Sequence, residues 1–242
     1  MTQINTINSV RGELRKNSSL KAKKSMQRFF KDEIKMLGLH YPQVKKISKK
    51  YYREIKDWDK KEFLLLCEEL LKNGYHEEKL ISFNWAFYYR ENYSKEDFKI
   101  FERWLNEYVT DWALCDLFVP KTMNYFITKY PSLIKETKKW AKSNNKLVRR
   151  ASAVCYFTDG AGIRPTSHNL SDIFDVAMKL IHDNEDLVQK GCGWLLKNAS
   201  KRSQKEVFDF VMKHKNDMSR TALRYAIELM PERLKNKAMK KN

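Results

Sequence analysis

An all-α fold, read as helix pairs stacked into a degenerate α-solenoid, is predicted by three observations. Glycine and proline are scarce, 7 and 5 in 242 residues, so little in the chain interrupts a helix. Nearly every window between them places apolar residues at helical rather than alternating spacing. The windows are short and closely connected. About fifteen such helices are too many for a simple bundle but suit a solenoid, in which each pair contacts its neighbours. No strict sequence period is visible, so the repeats are degenerate.

In chain order, the helical windows fall near 3–16, 20–37, 42–54, 59–73, 76–91, 94–107, 111–118, 120–129 and 131–143. They continue near 146–157, 169–183, 186–199, 203–214, 219–228 and 231–239. Capping residues mark two of the starts: Ser94 followed by Glu96 and Asp97, and Ser203 followed by Glu206, the spacing of a capping box. The longest irregular stretch, Thr158–His168, has glycines too few and wrongly placed for a phosphate-binding loop and reads as a flexible surface loop. No domain boundary is evident, and the chain reads as one domain over residues 1–242.

The 48 Lys and Arg against 30 Asp and Glu give a formal net charge of +18 and a pI near 9.6. The excess is spread along the chain, so it decorates folded faces and favours a polyanion, nucleic acid before an anionic membrane. A hydrophobic share of 42% with 13% aromatics excludes disorder. Cys67, Cys115, Cys155 and Cys192 lie far apart in apolar helical contexts and read as buried thiols in a reducing compartment. The histidines are scattered and no HExxH is present; no metal and no cofactor is expected. No apolar run approaches the roughly 18 residues of a membrane helix, and the polar start lacks a signal-peptide core. The expected setting is the cytoplasm, at the nucleoid when bound to DNA, with the chain monomeric and away from membranes.

Trp112 and Asp116 stand out. In a helix at 111–118, Leu114, Leu117 and Phe118 share one side at about 100° per residue, while Trp112 and Asp116, one turn apart, project together on the other. The helix at 187–199 repeats the anomaly. Its apolar stripe is Val188, Cys192, Leu195 and Ala199, and Trp194 points away from it between Lys190 and Lys197. In the window 145–155 the stripe is Leu147, Ala151, Val154 and Cys155. Arg149 lies opposite it and Arg150 on its flank, where a long stem can cover apolar surface while the guanidinium reaches a ligand. The same residues allow a purely structural reading, with the tryptophans packed between helices and Arg150 in a salt bridge.

Three segments in order carry a resemblance: Trp112-Ala113-Leu114-Cys115-Asp116, Val148-Arg149-Arg150-Ala151, and Val188-Gln189-Lys190-Gly191-Cys192-Gly193-Trp194-Leu195-Leu196-Lys197, with a weaker one at Phe30–Leu39. They span roughly residues 28–230, and on them the chain resembles the AlkD family of DNA alkylation-repair glycosylases, built from HEAT-like helical repeats. The resemblance implies a C-shaped solenoid whose concave, basic face clasps double-stranded DNA containing alkylated purines. It also implies cleavage of the glycosidic bond of N3- and N7-alkylated purines without a pocket enclosing the base. The family's catalytic aspartate matches Asp116, its sugar-contacting tryptophans match Trp112 and Trp194, and its phosphate-contacting arginine matches Arg150. Arg149, Lys190, Lys197 and Arg220 are the further cations expected at DNA. The chain departs from relatives at Asp111, where some carry a second tryptophan, at Phe29, where some carry tyrosine, and in a longer Thr158–His168 loop.

Two other functions remain open on the residues alone. A non-catalytic binder of branched or distorted DNA has the same need for charge but no need of Asp116 beside Trp112. A solenoid scaffold for an acidic protein would expose a contiguous apolar patch rather than Trp194 flanked by lysines.

Overall fold

The computed structural model describes residues 2–157 and 167–240, and every element in them is helical; among the described residues there is no strand. The expected loop at Thr158–His168 lies outside the described residues, apart from Ser167 and His168. The chain divides into two compact units, Met1–Asp97 and Phe98–Asn242.

The first unit holds α1 (Gln3–Lys16), α2 (Leu20–Gln27), α3 (Tyr41–Ile55), α4 (Lys60–Lys72) and α5 (His76–Tyr88), followed by short 3-10 turns at Arg90–Asn92 and Lys95–Asp97. α1 packs on α3 and α4, and both of those pack on α5. α5 is buried nearly from end to end, His76 through Ala86. Several of its polar groups find partners. Glu77 accepts from the backbone N–H groups of Leu37, Gly38 and Leu39 at 2.8 to 3.1 Å. Glu78 accepts from Arg11 and Asn73, and Trp85 donates its Nε1–H to the Ser48 carbonyl at 2.8 Å.

The helix expected over 20–37 stops at Gln27. Glu77 explains part of this, because it withdraws the N–H groups at 37–39 from any helix. Gln27 does the same locally, donating to the Asp32 carbonyl and accepting from the Ile34 N–H. Gly38 closes the turn at φ +90, and a Cβ there would lie 2.2 Å from the Ser19 carbonyl oxygen, a place only glycine fits. The capping expectations divide. At Ser94 the acid reaches back, with Asp97 accepting from the Ser94 N–H at 2.8 Å; Ser203 makes no side-chain cap.

The second unit runs from α6 (Phe98–Glu107) and α7 (Trp112–Phe118) through α8 (Asn124–Lys129), α9 (Ile134–Lys139), α10 (Lys146–Val154), α11 (Leu170–Leu180), α12 (Asp186–Ser200), α13 (Gln204–His214) and α14 (Arg220–Ile227) to α15 (Glu232–Met239). The helices stack in two layers. α7 packs on α10, α10 on α12 and α12 on α14, while α11 and α13 lie against α12, and α13 and α14 both meet α15. This is the pattern of a helical-repeat array. The break expected between 118 and 120 is instead a π-helical turn, Val119–Met123, that joins α7 to α8. Pro120 has no N–H to give the Asp116 carbonyl four residues before it, and a wider turn accommodates that loss.

The core of this unit is aromatic around Phe98, Phe101, Trp104, Phe118 and Phe126. All four cysteines are free and buried. Among the described residues no helix is long and apolar enough to cross a membrane, and no group of three His, Cys, Asp or Glu could hold a metal.

Candidate active site

α7 begins at Asp111, whose extended backbone and side chain cap the helix by accepting from the Leu114 N–H at 3.0 Å. Asp111 therefore has a local purpose, and truncating such a cap costs about 1 kcal/mol. The cap fixes the rotation of a short helix. Leu114, Cys115, Leu117 and Phe118 are buried on one side, while Trp112 and Asp116 are both half-buried. Burial, and then the Asp116 charge beside it, holds the Cys115 thiol well above its ordinary pKa, so it is a neutral packing group.

Asp116 does not face solvent alone. Arg150, from α10, donates its Nε–H to one carboxylate oxygen at 2.9 Å and an Nη2–H to the other at 2.7 Å, a bidentate pair. Its Nη1–H goes to the carbonyl of Leu187, in the first turn of α12. The arginine side chain is 6% exposed and the aspartate side chain 16%, so the cation is the buried partner and the anion the one that reaches water. Burial works to lower the Arg150 pKa, but the adjacent Asp116 charge and its hydrogen bonds outweigh that, and the pKa is raised. The guanidinium is a fixed cation.

α12 passes beneath this pair. Gly191 faces Arg150, and a Cβ there would meet the Arg150 Cγ at 3.3 Å and Nη1 at 3.4 Å. Trp194 follows three residues later, hence on the same side of the helix. It is half-buried, with its indole tilted against Phe157 at 4.4 Å between ring centroids. On its other side α12 meets α14 so closely that a Cβ on Gly193 would lie 2.5 Å from both the Ala222 carbonyl oxygen and the Tyr225 Cβ. The turn before α12 is pinned by Gln189, which donates to the carbonyls of Leu180, Ile181 and Asp183 and accepts from the Ser219 hydroxyl.

The expected cations are distributed unevenly. Arg149 lies away from the Asp116 pair and is itself engaged, donating to Asp183 and to the carbonyls of Ser143 and Asn144. Lys197 bonds Glu228 at 3.0 Å and covers the Tyr225 ring. Lys190 pairs with Asp186 one turn earlier, at 2.7 Å. Arg220 is exposed, with an Nη1 to Met239 carbonyl separation of 3.5 Å at the outer limit of a hydrogen bond. The fold thus brings Asp116, Arg150 and the α12 backbone together, with Trp112 one turn from Asp116 and Trp194 one turn from Gly191. Sequence reasoning had no sign of the Leu187 carbonyl, Phe157 or Gln189 as parts of this arrangement. Its nearest signal was the pair of glycines, 191 and 193, inside an otherwise good helix, which usually marks close packing.

Residues 10–230 match the family described as DNA alkylation repair enzyme. A solved structure, a predicted DNA alkylation repair enzyme from Enterococcus faecalis, has the same fold: its TM-score is 0.78 at 16% identity, over 89% of this chain and 97% of that one. Among curated proteins, none matches in sequence.

Proposed function

The chain belongs to the DNA alkylation repair enzyme family, and on that premise we propose that it is a DNA glycosylase that excises positively charged N3- and N7-alkylated purines from duplex DNA. The observation that carries the reading is a carboxylate, Asp116, anchored through both oxygens by a buried arginine yet open to water beside Trp112.

The chemistry needs little more. An alkylated purine of this class carries a formal positive charge. When its C1′–N bond breaks, the electron pair leaves with the base, which becomes neutral, and the sugar becomes oxocarbenium-like. Water then adds to C1′ and releases a proton. Asp116 opposes the developing charge and can accept a hydrogen bond from that water. An opposite charge at about 4 Å with an effective dielectric near 20 is worth about 4 kcal/mol, or roughly three decades in rate if it is felt only in the transition state. The nearby guanidinium subtracts from that field, so the reading requires the sugar to approach the side of the carboxylate away from Arg150. Trp112 and Trp194 would flank the deoxyribose, excluding water and offering their faces to the same charge. The first role of Arg150 is then to hold Asp116; with three of its five N–H groups engaged, a phosphate contact would use one of the remaining two. Lys190 and Arg220 are the more accessible candidates for phosphates.

One observation favours a second reading. A bidentate, largely buried ion pair also serves simply to tie α7 to α10, as it would in a non-catalytic DNA-binding relative. The deciding measurement is release of N7-methylguanine and N3-methyladenine from methylated duplex by the wild type, with duplexes carrying the neutral adducts 1,N6-ethenoadenine or hypoxanthine alongside. Release of the cationic bases alone is expected. Release of neither class supports the non-catalytic reading, and comparable release of both means that a general acid protonates the leaving base, which this mechanism lacks.

A further inference from the structure

We infer that Gly191 is a positioning residue for the Asp116 carboxylate, acting through Arg150. The inference rests on the glycosylase reading above and adds to it a part of α12 that touches no substrate.

A side chain leans toward the N-terminus of its helix and covers the turn before its own Cα. The residue at 191 therefore covers the Leu187 carbonyl, four residues earlier. Because residue 191 is glycine, that carbonyl stays open on the α10 side, and the Arg150 Nη1–H donates to it. The Arg150 side chain lies tight against the space a Cβ would take, with Cγ 3.3 Å and Nη1 3.4 Å from the Cβ position. The Nε and Nη2 edge is then aimed at Asp116 on α7, where it makes both short bonds. A guanidinium is planar, so fixing Nη1 on one helix fixes the direction of the other edge toward the second helix. A register of three helices is thereby transmitted to one carboxylate.

The backbone that presents the carbonyl is also fixed. Gln189, two residues on from Leu187, is tied to three carbonyls at the end of α11 and to Ser219 before α14. The Leu187 carbonyl is thus a stationary anchor, and the missing side chain at 191 is what lets Arg150 reach it.

The glycines of this chain supply the controls. Gly191 has no positive φ, so an alanine there meets no backbone strain, and by helix propensity it should raise stability by up to about 1 kcal/mol. Helix propensity alone, with no role for Gly191 at Arg150, predicts a Gly191→Ala protein that is as stable as the wild type or more so, and fully active. Gly193→Ala would part α12 from α14 and should lower stability. Gly12→Ala, with nothing within 4 Å of its Cβ position, gains the same helix propensity and should leave activity unchanged.

Four quantities are measured on each variant: the melting temperature, the single-turnover excision rate at saturating DNA, the Kd for DNA, and the exchange of the Arg150 Nε–H with solvent followed by nitrogen-15 NMR. A displacement near 1 Å costs about a hundredfold in such sites; the shift of a few tenths of an ångström forced by one methyl should cost about tenfold. For Gly191→Ala the inference expects that tenfold slower rate, an unchanged Kd, a melting temperature no lower than that of the wild type, and an Arg150 Nε–H exchanging at least tenfold faster. It also expects that adding Gly191→Ala to Asp116→Asn slows excision no further, since the group being positioned is already gone. An unchanged rate overturns the inference, as does a slower rate with Arg150 still protected, or two substitutions that act additively. If the wild type releases no base, it is the glycosylase reading that fails, and the Arg150 exchange rate then judges the seat at Gly191 by itself: unchanged protection in Gly191→Ala overturns it.

Discussion

Each unit of the molecule buries a carboxylate against an arginine, and the two pairs are built in opposite senses. In the first unit Glu78 is the hidden partner: its side chain is 2% exposed against 22% for Arg11. Both Arg11 nitrogens fall on one of its oxygens, and Asn73 satisfies the other at 2.7 Å. In the second unit the arginine is hidden and Asp116 is the partner that reaches water. A carboxylate whose oxygens are saturated inside the protein can only hold the fold together. One that is held from behind can still act on something in front of it. The direction in which an ion pair faces, rather than its presence, separates a structural pair from a candidate catalytic one.

The largest expected effect tests that distinction directly. Asp116→Asn should slow excision at least a hundredfold at saturating DNA, about 2.7 kcal/mol in the barrier, with DNA affinity nearly unchanged, because a charge felt only in the transition state does not contribute to uniform binding. Glu78→Gln should show the reverse. Replacing a buried carboxylate strands Arg11 and places an amide against Asn73; the loss should be about 2 kcal/mol in denaturant unfolding, below the usual range for a fully buried pair because Arg11 is partly wet. Excision per folded molecule should stay at the wild-type level. An Asp116→Asn protein that keeps most of its activity, or a Glu78→Gln protein that loses it while folded, would erase the contrast.

Much of this contrast is legible in the sequence. Helical periodicity placed α7, α10 and α12, and the apolar stripes set Trp112, Asp116 and Trp194 off the core, because local side-chain spacing determines which face is buried. The sense of the Asp116 pair could not be read, because it depends on how three helices separated in sequence meet at one guanidinium. Nor could the end of α2, which is decided in part by Glu77, far along the chain, taking the N–H groups of Leu37, Gly38 and Leu39. Gly191 and Gly193 look alike in sequence. One accommodates a side chain from α10 and the other the backbone of α14, and only packing tells them apart.

A smaller effect concerns where the charge meets DNA. If about six phosphates are neutralised, log K should fall against log salt with a slope near −5. The structure refines which cations contribute. Arg149 and Lys197 would have to give up Asp183 and Glu228, whereas Lys45, Lys46, Lys49 and Arg53 are exposed along α3 without an ion pair among the described residues. Replacing these four with glutamine should make the slope shallower by about 0.9 for each phosphate that is no longer neutralised, and Arg149→Gln should leave it nearly unchanged. A slope that responds only to Arg149 would place the phosphates on the second unit alone.

The smallest expected effect is on pH-dependent stability and belongs to His168 in the second unit. Asn124 donates one Nδ2–H to the Cys155 carbonyl at 2.8 Å and lies 3.1 Å from the His168 Nε2, so Nε2 accepts and the ring is neutral in this arrangement. Burial lowers the His168 pKa, and Arg202 lowers it further; Asp172 opposes them without prevailing. The sign follows. An unfolded chain binds a proton near the ordinary histidine pKa of about 6.5, while the folded chain resists it to lower pH, so stability is lost as pH falls below about 6.5. Protonation would also set an N–H on Nε2 against the Asn124 amide. His168→Gln keeps an acceptor for Asn124 but cannot titrate. Between about pH 7.5 and 5.5 the wild type should therefore lose more of its melting temperature than His168→Gln does, and the difference should disappear at the upper end. Equal losses in the two proteins would show that His168 is not the group responsible.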